Sequence, residues 1–334
     1  MYWYYKYPFL LVCLLIVFGI GYFIYTRLPE GVTDSIEQAE IFQGEIEKQA
    51  GDGKEQDVSS SKKTVADGAK EKNKQPRDRK NSEATSLMEK QLNAASEQLQ
   101  SGKLLAARTL ARKVVEHHDT IRFGRHWTEA ARIISEVNTR LINSDIPCPE
   151  KVRYEIASGD NLVNIARRFD TTVSALQRGN PALDVNDPTI YPGTTLLVYH
   201  GEWWIEVLKN RFVLLLMDGE HLFKLYPIAI GRQGRTPEGE FVIKNRQFHP
   251  DWTPPGRHIP YGDPENVLGT HWLGLRPVAD TDKALSGYGI HGTWEPESIG
   301  TAASLGCVRM RNESINELYD IVRLGTKVVI RGEE

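Results

Sequence analysis

Between Gly44 and Ser86 the chain carries no Leu, Met or aromatic residue, and is rich in Lys, Glu, Asp, Gln, Ser and Gly. Such a stretch cannot bury enough apolar surface to offset its chain entropy. No single core can form across it, so whatever folds must lie on one side or the other. On its N-terminal side, Tyr7 to Thr26 is a run of twenty uncharged, mostly apolar residues. That length crosses a hydrocarbon core of about 30 Å. Trp3, Tyr4, Tyr5 and Tyr7 on one side, and Tyr22 and Tyr25 on the other, supply aromatic belts. Tyr22-Phe23-Ile24-Tyr25 offers no small-residue cleavage site, so the run reads as an uncleaved transmembrane anchor. The expected layout is an anchor at 7–26, a disordered linker at 27–86 and a folded body beyond.

At 334 residues the chain has room for several domains, and its net charge of −3 gives no basic footprint for nucleic acid. The three cysteines, Cys13, Cys148 and Cys307, imply no disulfide framework.

Residues 87–145 read as a helical segment. Leu92, Ala95 and Leu99 recur at helical spacing, and Gly102 breaks the run. Leu105, Leu110, Ala111, Val114 and Val115 follow, then Trp127, Ala130, Ile133, Ile134, Val137 and Leu141. Ala94 through Leu104 resembles part of a tetratricopeptide-type hairpin, without a second copy. His117-His118-Asp119 reads as a polar helix end rather than a metal cluster.

Residues 152–199 change register to strand, turn, two short helices and returning strand. Chain reversals fall at Gly159-Asp160, Asn180-Pro181 and Pro192-Gly193. Tyr154-Glu155-Ile156, Ser158 through Leu162 and Ile165 through Phe169 give the whole a close resemblance to a LysM domain, a small βααβ module. That resemblance implies binding of N-acetylglucosamine-containing glycan strands near Gly159, Asp160, Asn161, Asn180 and Pro181.

Residues 202–332 are strand-rich, with strands expected at Trp203–Lys209, Phe212–Met217, Leu222–Ile230, Glu240–Asn245 and Lys327–Arg331. Asn312 reads as the cap of an amphipathic helix through Val322. A mostly-β sandwich with a short helix fits this pattern. Within it, His291 and Cys307 stand sixteen residues apart. A thiol is a good nucleophile only as thiolate, and an imidazole can take its proton. Gly306 permits a close backbone approach, so that N–H groups can meet an oxyanion.

Tyr288 through Thr293, Ser298-Ile299-Gly300 and Ser304 through Met310 closely resemble the signature of YkuD-type L,D-transpeptidases. The likeness extends to Thr236 through Phe241 and to Leu268 through Leu275. Two positions depart from it: Leu305 stands where many members have His, and Trp294 where many have a small polar residue. The resemblance implies peptidoglycan cross-linking through a thioester on Cys307. A tetrapeptide stem is the donor, and the side-chain amine of a diamino acid is the acceptor. His291 is the expected base, and the N–H groups of Gly306 and Cys307 the oxyanion donors. Arg309 braces the loop or meets a substrate carboxylate. Ser304 orients the loop, and the Gly292 carbonyl fixes the His291 tautomer. Trp252, Trp272 and Thr293 are expected at the substrate, with residues 244–269 as a wall or lid. No cofactor or metal is expected, since thiol catalysis needs none and His249, His258 and His271 lack zinc-site spacing. The same thioester attacked by water would make a carboxypeptidase, and attacked by a protein lysine a wall-attaching enzyme. A non-catalytic peptidoglycan-binding scaffold is the reading from a different class. The expected location is the bacterial cell envelope, with the catalytic part outside the cytoplasm.

Overall fold

The computed structural model describes residues 76–184, 187 and 189–332. The apolar run at 7–26 and most of the linker lie outside the described residues. Among those described, no helix is long and apolar enough to cross a membrane.

Helix α1 spans Pro76–Gln100. It therefore begins within the segment expected to be linker. The Arg, Lys, Glu and Ala residues there are good helix formers even without an apolar stripe. Met88, Leu92, Ala95 and Leu99 are buried on one face. Gly102, at φ +72°, ends the run, where a left-handed residue lets the chain close the last carbonyls. Helix α2 (Leu104–Val115) and α3 (Arg125–Ile142) follow. Each packs on its predecessor, and α3 also lies against the C-terminal strand His221–Pro227. The helices are thus joined to the C-terminal part, which their periodicity alone did not reveal. Trp127 and Ala131 share one apolar cluster with Leu208, Val213, Leu215 and Leu222. Buried Arg108 crosses to Asn138 Oδ1 at 3.0 Å and to Glu150 at 2.9 Å.

Strands β1 (Lys151–Glu155) and β2 (Thr195–Tyr199) pair antiparallel around α4 (Leu162–Arg168) and α5 (Val173–Gly179). Ile156, Leu162, Ile165, Ala166, Leu176, Leu196 and Val198 form a separate small core. This is the expected βααβ order.

The C-terminal part holds strands β3 (Trp203–Leu208), β4 (Val213–Asp218), β5 (His221–Pro227), β6 (Ile230–Gly231) and β7 (Gly239–Phe248). Strands β8 (His271–Pro277), β9 (Gly289–His291), β10 (Ala302–Ser304), β11 (Val308–Arg309) and β12 (Lys327–Arg331) complete it. The part is β-rich as expected: hydrogen bonding joins eight strands in one mixed order, β11-β9-β8-β7-β12-β3-β4-β5, plus a parallel pair β10–β6. Helix α6 (Asn312–Ile321) packs on β8 and β9. Its Ile315 and Leu318 share the core with Leu273, Ile290 and Val308. Asn312 is not its cap. Its Oδ1 accepts the Thr270 N–H at 3.2 Å, tying α6 to the start of β8.

The βααβ module docks on α6. Arg178 pairs with Asp320 Oδ2 at 2.6 Å, Arg323 pairs with Asp170, and Thr172 Oγ1 donates to the Asp320 carbonyl. The module therefore sits behind α6, on the side of the sheet that buries Leu273 and Ile290.

Candidate active site

Register decides which side chains meet. Strands β9 and β11 run parallel with Ile290 opposite Val308 and His291 opposite Arg309. Strand β8 pairs antiparallel to β9 with Trp272 opposite His291 and Gly274 opposite Gly289. Side chains alternate faces along a strand. Leu273, Ile290 and Val308 therefore point towards α6, while Trp272, His291 and Arg309 share the other face. Cys307, two residues before Arg309, belongs to that face as well, beside Gly289 and diagonal to His291.

Glycine makes room there. A Cβ at Gly289 would lie 2.5 Å from Trp272 Cη2, and one at Gly274 would lie 2.8 Å from Trp272 Nε1. The Trp272 indole therefore lies against both glycines. It also stacks on the His291 ring, with centroids 5.9 Å apart.

The loop carrying the thiol is held by Ser304. Its Oγ donates to the Cys307 carbonyl at 2.6 Å and accepts the Gly306 N–H at 3.0 Å. The ordering role expected of Ser304 matches this geometry. The oxyanion role expected of the Gly306 N–H does not, because that donor is already engaged. Gly306 itself, at φ +147°, has Tyr288 Cε1 2.9 Å from where a Cβ would stand, so only glycine fits.

His291 is buried, and its Nδ1 donates to the Gly292 carbonyl at 2.6 Å. Burial lowers its pKa to about 4, and the nearby Arg309 charge adds to this. The Gly292 and Leu268 carbonyls pull the other way, favouring the protonated ring. Cys307 is half-buried, and its Sγ faces the Gly287 carbonyl at 3.7 Å. Burial pushes the thiol up, and the Gly289 N–H and the Arg309 charge oppose that only in part. Both shifts favour the uncharged form of the group.

Arg309 pairs with Glu295 Oε2 at 2.9 Å. Thr293, expected at the substrate, is buried instead, and its Oγ1 accepts the Glu295 N–H at 3.1 Å. It braces the loop after β9. Trp252 is half-buried and exchanges two 2.8 Å backbone hydrogen bonds with Ile259. Buried Asn266 secures the same loop through the Pro250 and Ile259 carbonyls at 2.9 and 3.2 Å. Glu295 was not among the expected site residues, and Tyr288, Gly274 and Gly289 were expected only as parts of the motif, without a packing role. Gly274 follows Trp272 by two residues and Gly289 precedes His291 by two, so each shares a strand face with a site residue.

The expected glycan residues fare differently. Asn180 is buried. Its Nδ2 donates to the Leu176 and Leu197 carbonyls at 2.8 and 2.9 Å, and its Oδ1 accepts the Leu197 N–H at 2.8 Å. It is a strut between α5 and β2, with both Nδ2 hydrogens engaged within the module. Asn161 Oδ1 caps α4 through the Asn164 N–H at 2.9 Å. Asp160 accepts the Ala157 N–H at 2.9 Å and the Tyr154 hydroxyl. Gly159 sits at φ +88° in the turn, and it and Pro181 are exposed.

Elsewhere, His117, His118 and Asp119 bring ligand atoms within 4.8 Å of one another. His117 Nδ1 accepts the Asp119 N–H at 3.2 Å.

A family model for the L,D-transpeptidase catalytic domain (YkuD) matches residues 202–330, and a LysM-domain model matches residues 154–198. YkuD of Bacillus licheniformis, named as an L,D-transpeptidase, is 38% identical over 184 residues, covering 53% of this chain and 97% of that protein. YkuD of Bacillus subtilis is 36% identical over 185 residues, with the same two coverages of 53% and 97%. A solved L,D-transpeptidase from Mycobacterium smegmatis is 18% identical with a TM-score of 0.33, covering 42% of this chain and 64% of that one. The chain belongs to the YkuD family of L,D-transpeptidases and carries a LysM domain ahead of the catalytic domain.

Proposed function

We propose that this chain cross-links peptidoglycan stem peptides through a thioester on Cys307. The observation that carries the reading is the register of β9 with β11, which sets His291 opposite Arg309, two residues after Cys307, with Trp272 opposite His291 on β8. Cys307 Sγ attacks a stem-peptide carbonyl. His291 takes the thiol proton and passes it to the departing amine. The carbon–nitrogen bond breaks as the sulfur–carbon bond forms. An acceptor amine then attacks the thioester, again losing its proton to His291. The Gly292 and Leu268 carbonyls, which favour the imidazolium, serve as the orienting third group that a carboxylate provides in other triads. With Gly306 engaged by Ser304, the Cys307 N–H is the remaining candidate of the two expected oxyanion donors.

The LysM module would hold the enzyme on glycan strands and raise the local concentration of stems by linkage. The apolar run at 7–26 would anchor it in the membrane, with the folded part in the cell envelope. Intact mass of the protein treated with a carbapenem tests the nucleophile. One adduct on Cys307 supports the reading, and an adduct on Cys148 instead rejects it. Reaction with defined tetrapeptide stems, read by mass spectrometry of cross-linked and hydrolysed products, separates transfer from carboxypeptidase action.

A further inference from the structure

Two main-chain carbonyls bear on the buried His291 ring, those of Gly292 and Leu268. Nδ1 donates to the first at 2.6 Å, so the neutral ring keeps its lone pair on Nε2. Gly292 follows β9 and Leu268 precedes β8, so both carbonyls lie outside the strands. A loop peptide can turn about its flanking bonds, and at glycine it does so with little steric restraint. Something beyond the strand ladder must hold these two carbonyls in aim.

One side chain meets both segments. Asn312 opens α6, and its Oδ1 accepts the Thr270 N–H two residues past Leu268, at 3.2 Å. The same oxygen fills a notch between Gly269 and Gly292, where a Cβ on either glycine would strike it. A Cβ on Gly269, at φ +64°, would also stand 2.5 Å from the Gly292 carbonyl carbon. Ile315 closes the notch, its Cγ2 3.2 Å from where a Gly292 Cβ would stand. One turn further along α6, Asn316 Oδ1 accepts the Thr270 hydroxyl at 2.5 Å. The segments that carry both carbonyls therefore close on one amide oxygen.

We propose that Asn312 is a positioning residue of the acyl transfer: by pinning Thr270 and Gly292, it aims the Leu268 and Gly292 carbonyls at His291 and keeps the Nε2 lone pair free for the Cys307 proton. This deepens the acyl-transfer reading above and rests on it. Without the oxygen, the Thr270 N–H loses its Oδ1 partner and the 292–293 peptide gains room to turn. A ring released by the Gly292 carbonyl divides between two tautomers. The one with its proton on Nε2 offers no lone pair to the thiol. Helix α6 packs across the sheet from Trp272, so the stem peptide should bind as before. The cost then falls on kcat rather than on KM.

The test uses the full-length protein with isotope-labelled histidine. NMR reads the His291 ring nitrogens, assigned by their loss in His291→Ala, and a tetrapeptide stem gives kcat and KM for acylation of Cys307. The unaltered protein should carry the ring proton on Nδ1. Asn312→Ala should lose that single-tautomer signal and about 10–100-fold of kcat, the scale of a misplaced catalytic group, with KM little changed. Asn312→Asp keeps an acceptor oxygen in the notch and should restore the signal and most of kcat. Should Asn312→Ala fail to fold, Asn312→Asp decides, and a folded Asp variant without the Nδ1–H signal overturns the proposal. Unchanged signal and kcat in a folded Asn312→Ala protein overturn it too. So does a loss of kcat with the Nδ1–H signal intact, which would make Asn312 a brace of the fold alone. If the unaltered protein never acylates Cys307, the acyl-transfer reading itself fails, while the ring signal still judges Asn312.

Discussion

The Cys307 face and the LysM turn are both marked by polar motif residues, and the fold treats them in opposite ways. In the LysM module Asn180, Asn161 and Asp160 all bond to main-chain groups of their own module. On the catalytic face Cys307 is left half-buried, Arg309 keeps an idle Nε, and Trp294 and Leu305 stand 51% and 71% exposed. A motif residue whose hydrogen bonds are satisfied internally is there to make the fold. One that is positioned yet unsatisfied is available to a ligand.

The largest expected effect breaks the catalytic side. Cys307→Ser should keep its melting temperature and lose roughly 10³-fold or more of transfer, because a hydroxyl is far harder to ionise than a thiol. Retention of transfer by that variant would remove Cys307 from the chemistry. His291→Ala should slow acylation by about 10²–10⁴-fold. With His291 lowered to about 4, the acid limb of kcat/KM in the unaltered protein should fall near pH 4, with no further loss between pH 6 and 8. A limb near 6.5 would mean that the imidazole is not held neutral by burial.

The same group sets a stability effect. The unfolded chain takes up a proton on this imidazole near its ordinary value of 6.5, whereas the folded chain resists until about 4. Stability should therefore fall as pH drops through that window, by up to ~3 kcal/mol. The fall should be shallower in His291→Ala, as read by urea midpoints across pH.

On the LysM side the effects are smaller and differ in kind. Asn180→Ala should destabilise by about 1–3 kcal/mol by leaving buried main-chain groups unpaired. Asn161→Ala should cost about 1 kcal/mol through its lost cap. Both should weaken binding to isolated sacculi only as far as they unfold the module. If Asn180→Ala melts normally and yet loses glycan binding, the contrast between the two regions fails at that residue.

Much of the candidate site was legible because its constraints are local. Cys307 stands beside a glycine that nothing else can replace, and His291 is followed by the glycine whose carbonyl holds it. What escaped depended on contacts that no short pattern carries. Ser304 Oγ captures the Gly306 N–H across a turn, and Thr293 turns inward to brace Glu295. Asn312 bonds to Thr270, 42 residues away, where the sequence suggested an ordinary cap. In the LysM module the strand–helix–helix–strand order was plain from its chain-reversal signals. The burial of Asn180 was not, since Asn-Pro reads equally well as an exposed turn. The helical segment revealed its periodicity but not its partner. Its apolar positions serve two surfaces, and a single stripe cannot say which faces the sheet.

That partner has a consequence for how the molecule behaves in company. Strand β5 ends the eight-stranded sheet, and the end of a sheet offers free main-chain groups to any passing strand. Here α3 supplies them with partners: Asn138 Nδ2 donates to the Phe223 carbonyl at 2.9 Å, and the Leu225 N–H donates to Ser135 Oγ at 3.2 Å. Two polar side chains on one helix thus act as a stopper against strand addition. A truncated protein lacking residues 76–142 would present an open template along β5, and would be expected to pair with its own copies until it left solution.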